Sequence, residues 1–237
     1  MTLMSVLWAI AFGICPQRPS HSLFLGDQQM PIEARMAGMF GGFVIGAAYF
    51  AAMGRGRAWR MPGGWMAFVL VGFVGLLGVD GVNAFLADLR LPHLYPPNLY
   101  LRLGTGLLTG LTFAGFVVPA LNSTVWQTGV EVSPLTNARD LLVGLGLEAV
   151  YFVAAISGAG ILLYPVSLVA IIGVPLLLGM IGAVVVASVL GRSNRAARLA
   201  EVLPVALGGL ALAVIMLGML SVARLALFGA GPLELPL

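Results

Sequence analysis

The chain has 237 residues, 60% of them hydrophobic and only 9% charged, with a formal net charge of +3. An average soluble domain carries about 25% charged residues, so this chain cannot coat a water-facing surface and its main solvent is lipid. All 12 basic residues are Arg, which excludes a lysine Schiff base and a Walker-type phosphate loop, and their spread over several loops leaves no patch for nucleic acid.

Apolar runs near 3–15, 36–53, 65–87, 100–121, 138–157, 161–190 and 202–228 follow one another along the chain. Runs of about 20 apolar residues mark spanning helices. The expected fold is therefore an all-α integral membrane protein, a single domain of about seven transmembrane helices, with six or eight as the bounds. Residues 122–237 add further apolar helices to a more polar half, residues 1–121. Seven apolar runs invite comparison with a rhodopsin, but the missing Lys argues against it.

The first run, 3–15, is too short to span unaided. Its length suits a signal-peptide core, but it lacks a basic start, and Pro16 and Gln17 make a poor cleavage site. It reads as a retained helix that tilts, extends or lies partly in the interface. The sixth run contains Pro165 and Pro175 and reads as a kinked helix or a broken pair. Between the second and third runs lie Arg55, Arg57 and Arg60; between the sixth and seventh lie Arg192, Arg195 and Arg198. With Arg139 these share one face, and the positive-inside rule makes that face cytoplasmic. The N-terminus is then expected inside and the C-terminus outside, in a cell membrane.

Gly38, Gly42 and Gly46 form a tandem GxxxG ridge on the second helix, and Gly106 and Gly110 a shorter one on the fourth. Small residues at this spacing let helix backbones approach closely. They point to tight packing within one bundle or, less simply, to self-association or contact with another membrane subunit.

The polar chemistry is concentrated in two places. Residues 14–35, ICPQRPSHSLFLGDQQMPIEAR, hold Cys15, Gln17, Arg18, Ser20, His21, Ser22, Asp27, Glu33 and Arg35. Asp80 and Asn83 share one face at the end of the third helix. The loop beyond them supplies Asp88, Arg90, His93, Asn98 and Arg102. Both stretches fall on the predicted outer side. An ionised carboxylate there costs several kcal/mol unless paired, so Asp80 is expected to meet Arg35 or Arg102 through an Arg–carboxylate fork. Two readings remain open for Cys15, Arg18, His21, Ser22, Arg35, Asp80, Asn83, Asn98 and Arg102. One is a set of ion pairs that locks helix order. The other is a site for an anion, a lipid headgroup or a metal.

Cys15 is the only cysteine, so neither an internal disulfide, a CxxC pair nor a four-thiolate site can form. Cys15, His21, Glu33 and His93 are metal-ligating types, but their spacing matches no ligand pattern, and no metal or cofactor is assigned. No GxSxG elbow, HExxH helix or dinucleotide fingerprint is present, so no residue is assigned as catalytic. Glu148 stands apart, near the middle of the fifth helix with no Arg at matching depth. An intramembrane carboxylate is a candidate for a proton or cation relay, for contact with a bound cofactor or quinone, or for a neutral acid bonded to a neighbouring helix.

The blocks CPQRPSHS, PIEARMAGMFGG, DGVN and NLYLRLGTGLLTG, in that order, resemble the bacterial and archaeal membrane-protein family catalogued as domain of unknown function 2085, over roughly residues 10 to 118. The resemblance implies a polytopic membrane protein whose motif comprises Cys15, Gln17, Arg18, Ser22, Arg35, Asp80, Gly81, Asn83, Asn98, Arg102, Thr105 and Gly106. It brings no activity with it. Where that pattern has His directly after the first Cys and a second Cys before A-R, this chain has Pro16 and Glu33. If the family uses a Cys/His metal or thiol site, half of it is missing here.

Three functional expectations follow. The first is a non-enzymatic accessory or structural subunit of a larger membrane complex, respiratory or photosynthetic in type. The second is a binding protein or enzyme that uses the outer Arg/Asp cluster. The third is a proton- or cation-coupled transporter that uses Glu148, weakened by the lack of a visible internal repeat.

Overall fold

A computed structural model describes residues 2–231. Met1 and residues 232–237 lie outside the described residues, and with them the expected sides of the two termini. The seven helices among the described residues are α1 (Leu3–Phe12), α2 (Ala34–Ala52), α3 (Gly64–Asp88), α4 (Leu99–Val125), α5 (Ala138–Ile156), α6 (Leu163–Val189) and α7 (Leu199–Phe228). Five of them, α2, α3, α4, α6 and α7, are long and apolar enough to cross a membrane. Helix α5 has 19 residues, which suffice in length, but it carries Arg139, Asp140 and Glu148. Helix α1 has 10 residues, a rise of about 15 Å, or half of a hydrocarbon core about 30 Å thick.

The sixth run forms one continuous helix, not a broken pair. Pro165 lies in the first turn of α6, where its missing N–H has no intrahelical role; Pro175 lies inside the helix. A two-stranded antiparallel sheet, β1 (Ser22–Leu25) and β2 (Gln28–Glu33), departs from the all-helical expectation within the polar stretch. Gly26, at φ 61°, supplies the left-handed turn between the strands.

The closest pairing is α2 against α4, and the two glycine ridges make it. A side chain at Gly38 would run into the backbone of Leu103 and Leu107, and a Cβ at Gly110 would lie 2.6 Å from the Phe43 nitrogen. Gly38, Gly42, Gly46, Gly106 and Gly110 are all buried. The ridges are thus used inside the bundle, and none of these five glycines remains on a surface to meet a second subunit. Phe43, Leu103, Leu107 and Leu111 fill the core beside the seam. Helix α6 seals α2 from the other side, where Gly173 sits against the Phe40 backbone. Helices α3 and α7 are peripheral: α3 buries only Met66, Leu70, Asp80, Asn83 and Ala84, and α7 only Val205, Gly209, Ala213 and Arg224.

The helices alternate in direction, so the loops collect at two ends. The arginine-loop end is stitched by backbone bonds from Trp59 to Val130, Arg60 to Val132, and Gln127 to Ala196. The hairpin end gathers residues 13–33, the α3–α4 loop and the α5–α6 turn, whose Gly158 carbonyl accepts from the Gly26 N–H.

Candidate functional site at the hairpin end

Helices α2 and α4 both start at the hairpin end, each with an Arg in its first turn, Arg35 and Arg102. A cation at a helix N-terminus faces the positive end of the macrodipole, so carboxylates or another anion must compensate. Helix α3 ends at the same level and delivers Asp80. The Arg35 Nη2 donates to Asp80 Oδ2 at 2.5 Å and to the Asp80 carbonyl at 3.2 Å. The second oxygen, Oδ1, accepts from the Tyr95 hydroxyl at 3.0 Å. Asp80 is 2% exposed, so this satisfaction of both oxygens is what makes its burial tolerable.

Asn83, three residues on, works on the loop. Its Oδ1 accepts from the backbone N–H groups of Leu94 (2.7 Å) and Tyr95 (3.2 Å), and its Nδ2 donates to the Tyr95 carbonyl at 2.9 Å. One side chain thereby fixes the loop that aims Tyr95 at Asp80. Tyr95 is a member of the cluster that sequence reasoning did not single out; its position in HLYPPN, between two polar anchors, is the only hint of it. Its hydroxyl pKa is raised, first by burial and then by its bond to Asp80, so it stays a donor.

The hairpin supplies the other half. Arg18 donates from its backbone N–H (3.0 Å) and its Nε (3.2 Å) to Glu33 Oε1, and from Nη1 to Asp88 Oδ2 at 3.0 Å. Glu33 is therefore an arginine partner. Ser22 donates to the Arg18 carbonyl at 2.8 Å and accepts from Gln29 at 3.0 Å, and so shapes the loop without touching a charge. Asn98 caps α4 by accepting from the Tyr100 N–H at 2.7 Å. Ser22 and Asn98 also line a cavity of about 450 Å3 between β1, α4 and the end of α5.

Cys15 is buried, and its sulfur accepts from the Glu33 N–H at 3.2 Å. Burial, and then the Glu33 charge, push the thiol up to about 11; it stays protonated and unreactive at neutral pH. The segment around it is anchored by Arg224 of α7, which donates to the carbonyls of Phe12, Cys15 and Pro16 and stacks 4.1 Å from the centre of the Phe12 ring. Nothing in the pattern of an apolar seventh helix distinguishes this Arg from a membrane-edge anchor.

His21 lies beside the cluster, with Nε2 3.6 Å from Asp88 Oδ1 and Nδ1 buried without a partner. Burial, and then Arg102 and Arg18, lower it to about 4. It is neutral at physiological pH, and its contact with Asp88 is not an ion pair there. His93 stands apart in the exposed loop, against the Leu91 carbonyl. Among the described residues no three of His, Cys, Asp and Glu converge as a metal would require.

Arg102 is the exception in this network. It is 4% exposed, surrounded by the charges of Arg35, Asp88, Arg18 and Asp80. Yet its guanidinium makes no hydrogen bond or ion pair among the described residues, although Arg18 is shared between two carboxylates. The Nε of Arg35 is buried and has no hydrogen-bond partner among the described residues. With His21 neutral, three Arg (18, 35 and 102) face three carboxylates (Glu33, Asp80 and Asp88), so the charges balance while the donors outnumber the acceptors that reach them.

Fold and site together define a polytopic helical membrane protein with an ion-paired polar cap at one end. Residues 15–116, less than half of the chain, match the family described as "Predicted membrane protein (DUF2085)". An uncharacterized protein of Methanocaldococcus jannaschii is 23% identical over 121 residues, which cover 51% of this chain and 72% of that relative. No solved structure matches.

Proposed function

We propose that the hairpin end recognises a small anionic group, a phosphate or a carboxylate, with Arg102 as its main partner and Arg35 and His21 beside it. The observation that carries this reading is an arginine only 4% exposed as a residue whose guanidinium, with five donors, finds no acceptor among the described residues. A buried charge left in that condition is costly. Its position favours an anion further, because the N-termini of α2 and α4 meet beneath it and helix N-termini attract negative charge. By the positive-inside rule the site faces outward and the loops with Arg55, Arg57, Arg60, Arg192, Arg195 and Arg198 face the cytoplasm.

The test is mass spectrometry of the intact full-length protein released from two preparations. One is in nanodiscs containing phosphatidylglycerol, and the other is in phosphatidylcholine nanodiscs with inorganic phosphate in solution. The first identifies a lipid headgroup as the source of the anion, the second a free ion. Wild-type protein should retain an adduct in at least one, and Arg102→Gln in neither. Wild-type protein that carries no adduct in both contradicts the proposal.

A second reading, an accessory subunit of a larger membrane complex, draws on α3. Gly72, Gly75 and Gly78 lie on it, and a Cβ added at any of the three would meet nothing within 4 Å, so its outer face would accept a closely packed helix. Extraction from native membrane tests it: a chain that emerges alone removes this reading, and a stoichiometric companion supports it.

A further inference from the structure

Glu148 lies ten residues into the 19-residue helix α5 and is 3% exposed. Both carboxyl oxygens are buried without a hydrogen-bond partner among the described residues. Its Oε1 sits over Gly42 of α2, where a Cβ would lie only 2.7 Å away; the glycine ridge leaves room for the acid in the α2–α4 seam. No arginine among the described residues pairs with it. The same residue lines a cavity of about 240 Å3 between α4 and α5, together with Gly104, Leu107, Leu108, Leu145, Ala149 and Phe152. Ala149 is exposed, and Gly104, Leu108, Leu145 and Phe152 are half-buried. The neighbouring α5 residues Leu147 and Val150 lie on the outside of the bundle. The crevice therefore opens on the apolar outer surface of the bundle, and Glu148 is the one polar side chain among its lining residues.

We propose that this crevice binds an apolar molecule that carries one hydrogen-bonding group, entering from the bilayer, with the neutral carboxylic acid of Glu148 as its polar partner. A lone carboxylate has no counter-charge here and is costly in hydrocarbon; the neutral acid offers one donor and one acceptor. The complementary ligand is a lipophile with a single carbonyl or hydroxyl. Apolar walls with one placed polar group are the usual make-up of a small-molecule site.

Dicyclohexylcarbodiimide, a lipid-soluble probe of neutral carboxylic acids, tests the site. The acid O–H adds across one C=N bond: the oxygen bonds to carbon and the proton goes to nitrogen. The O-acylisourea then rearranges to a stable N-acylurea, with no oxidant or second reactant. In proteoliposomes of the full chain we expect one adduct, mapped by peptide mass spectrometry to Glu148 and absent from Glu148→Gln. A water-soluble carbodiimide should leave Glu148 untouched. Leu108→Trp, which fills the crevice from its half-buried wall, should slow the labelling at least tenfold while leaving the melting curve in place. Adding a short-tailed hydrophobic quinone, as a lipophilic carbonyl compound, should protect Glu148. The inference is overturned if Glu148 stays unlabelled in folded protein, if the water-soluble reagent labels it equally fast, or if neither the quinone nor Leu108→Trp slows the reaction.

Discussion

The two ends of the bundle use the same residue types to opposite effect. At the arginine-loop end, Arg60 pairs with Glu131 in the open, both side chains more than half exposed, and Arg57 lies 3.9 Å over the Trp126 ring. One pair is drawn inward, Arg55 with Asp140 at 2.5 Å, and there Asp140 also accepts from the Thr136 N–H and hydroxyl. Arg192, Arg195 and Arg198 stay exposed. At the hairpin end, Asp80, Asn83, Arg102, His21 and Glu33 are all buried. One end is a charged rim left in the open. The other takes charge out of water and leaves the Arg102 guanidinium without a bonded partner among the described residues.

The contrast should break most visibly at Asp80. Removing Asp80 strands Arg35, whose side chain is 28% exposed, so Asp80→Ala should destabilise the protein by about 3 kcal/mol, the low end for such a pair, in a reversible detergent-unfolding titration. It should also free the α3–α4 loop, because Tyr95 loses its acceptor. A loss under about 1 kcal/mol would mean that this end is no more buried than the other.

Acid should separate the ends next. His21 sits near 4 in the folded protein against 6.5 for the free side chain. Below 6.5 the unfolded chain therefore binds the proton that the folded chain refuses. Stability should be whole above about pH 6.5 and fall by up to roughly 3 kcal/mol as the pH drops to about 4. His21→Gln should flatten this part of the profile, and a wild-type profile flat between pH 6.5 and 4 would place His21 in water.

Thiol chemistry offers a smaller contrast. With Cys15 pushed up to about 11 against an ordinary 9.0, the thiolate fraction at pH 7.5 falls roughly 100-fold. Maleimide labelling of native protein should be slower than that of unfolded protein by at least this factor. Equal rates would show that the Arg224 anchor does not hold the segment closed. The smallest effect belongs to the rim: Arg60→Ala should change stability by less than about 1 kcal/mol, measured by the same unfolding titration.

Much of the bundle was legible because hydropathy dominates. The apolar run 65–87 became α3 at Gly64–Asp88, and the run 138–157 became α5 at Ala138–Ile156. The glycine ridges of α2 and α4 declared a close seam, though which helices meet across it depends on the folded arrangement. The hairpin escaped the sequence reading because a short strand pair among polar residues has no strong period, and its turn, Gly26-Asp27, resembles any loop. The need to compensate Asp80 was plain from its depth, and Arg35 was one of two candidates. Which Arg would be left over was not legible, since that depends on Arg18 reaching both Glu33 and Asp88 from a loop whose path no periodicity encodes. Tyr95 and Arg224 were hidden for the same reason: each acts through backbone or side-chain atoms distant in sequence.

The most direct measurement compares wild type and Arg102→Gln by thermal unfolding in detergent while inorganic phosphate is titrated in. If Arg102 is held for an anion, phosphate raises the melting temperature of wild type and not of Arg102→Gln, and the variant is at least as stable as wild type without phosphate. Equal responses of the two proteins, or a variant destabilised as severely as Asp80→Ala, would contradict the account and leave Arg102 a structural member of the network.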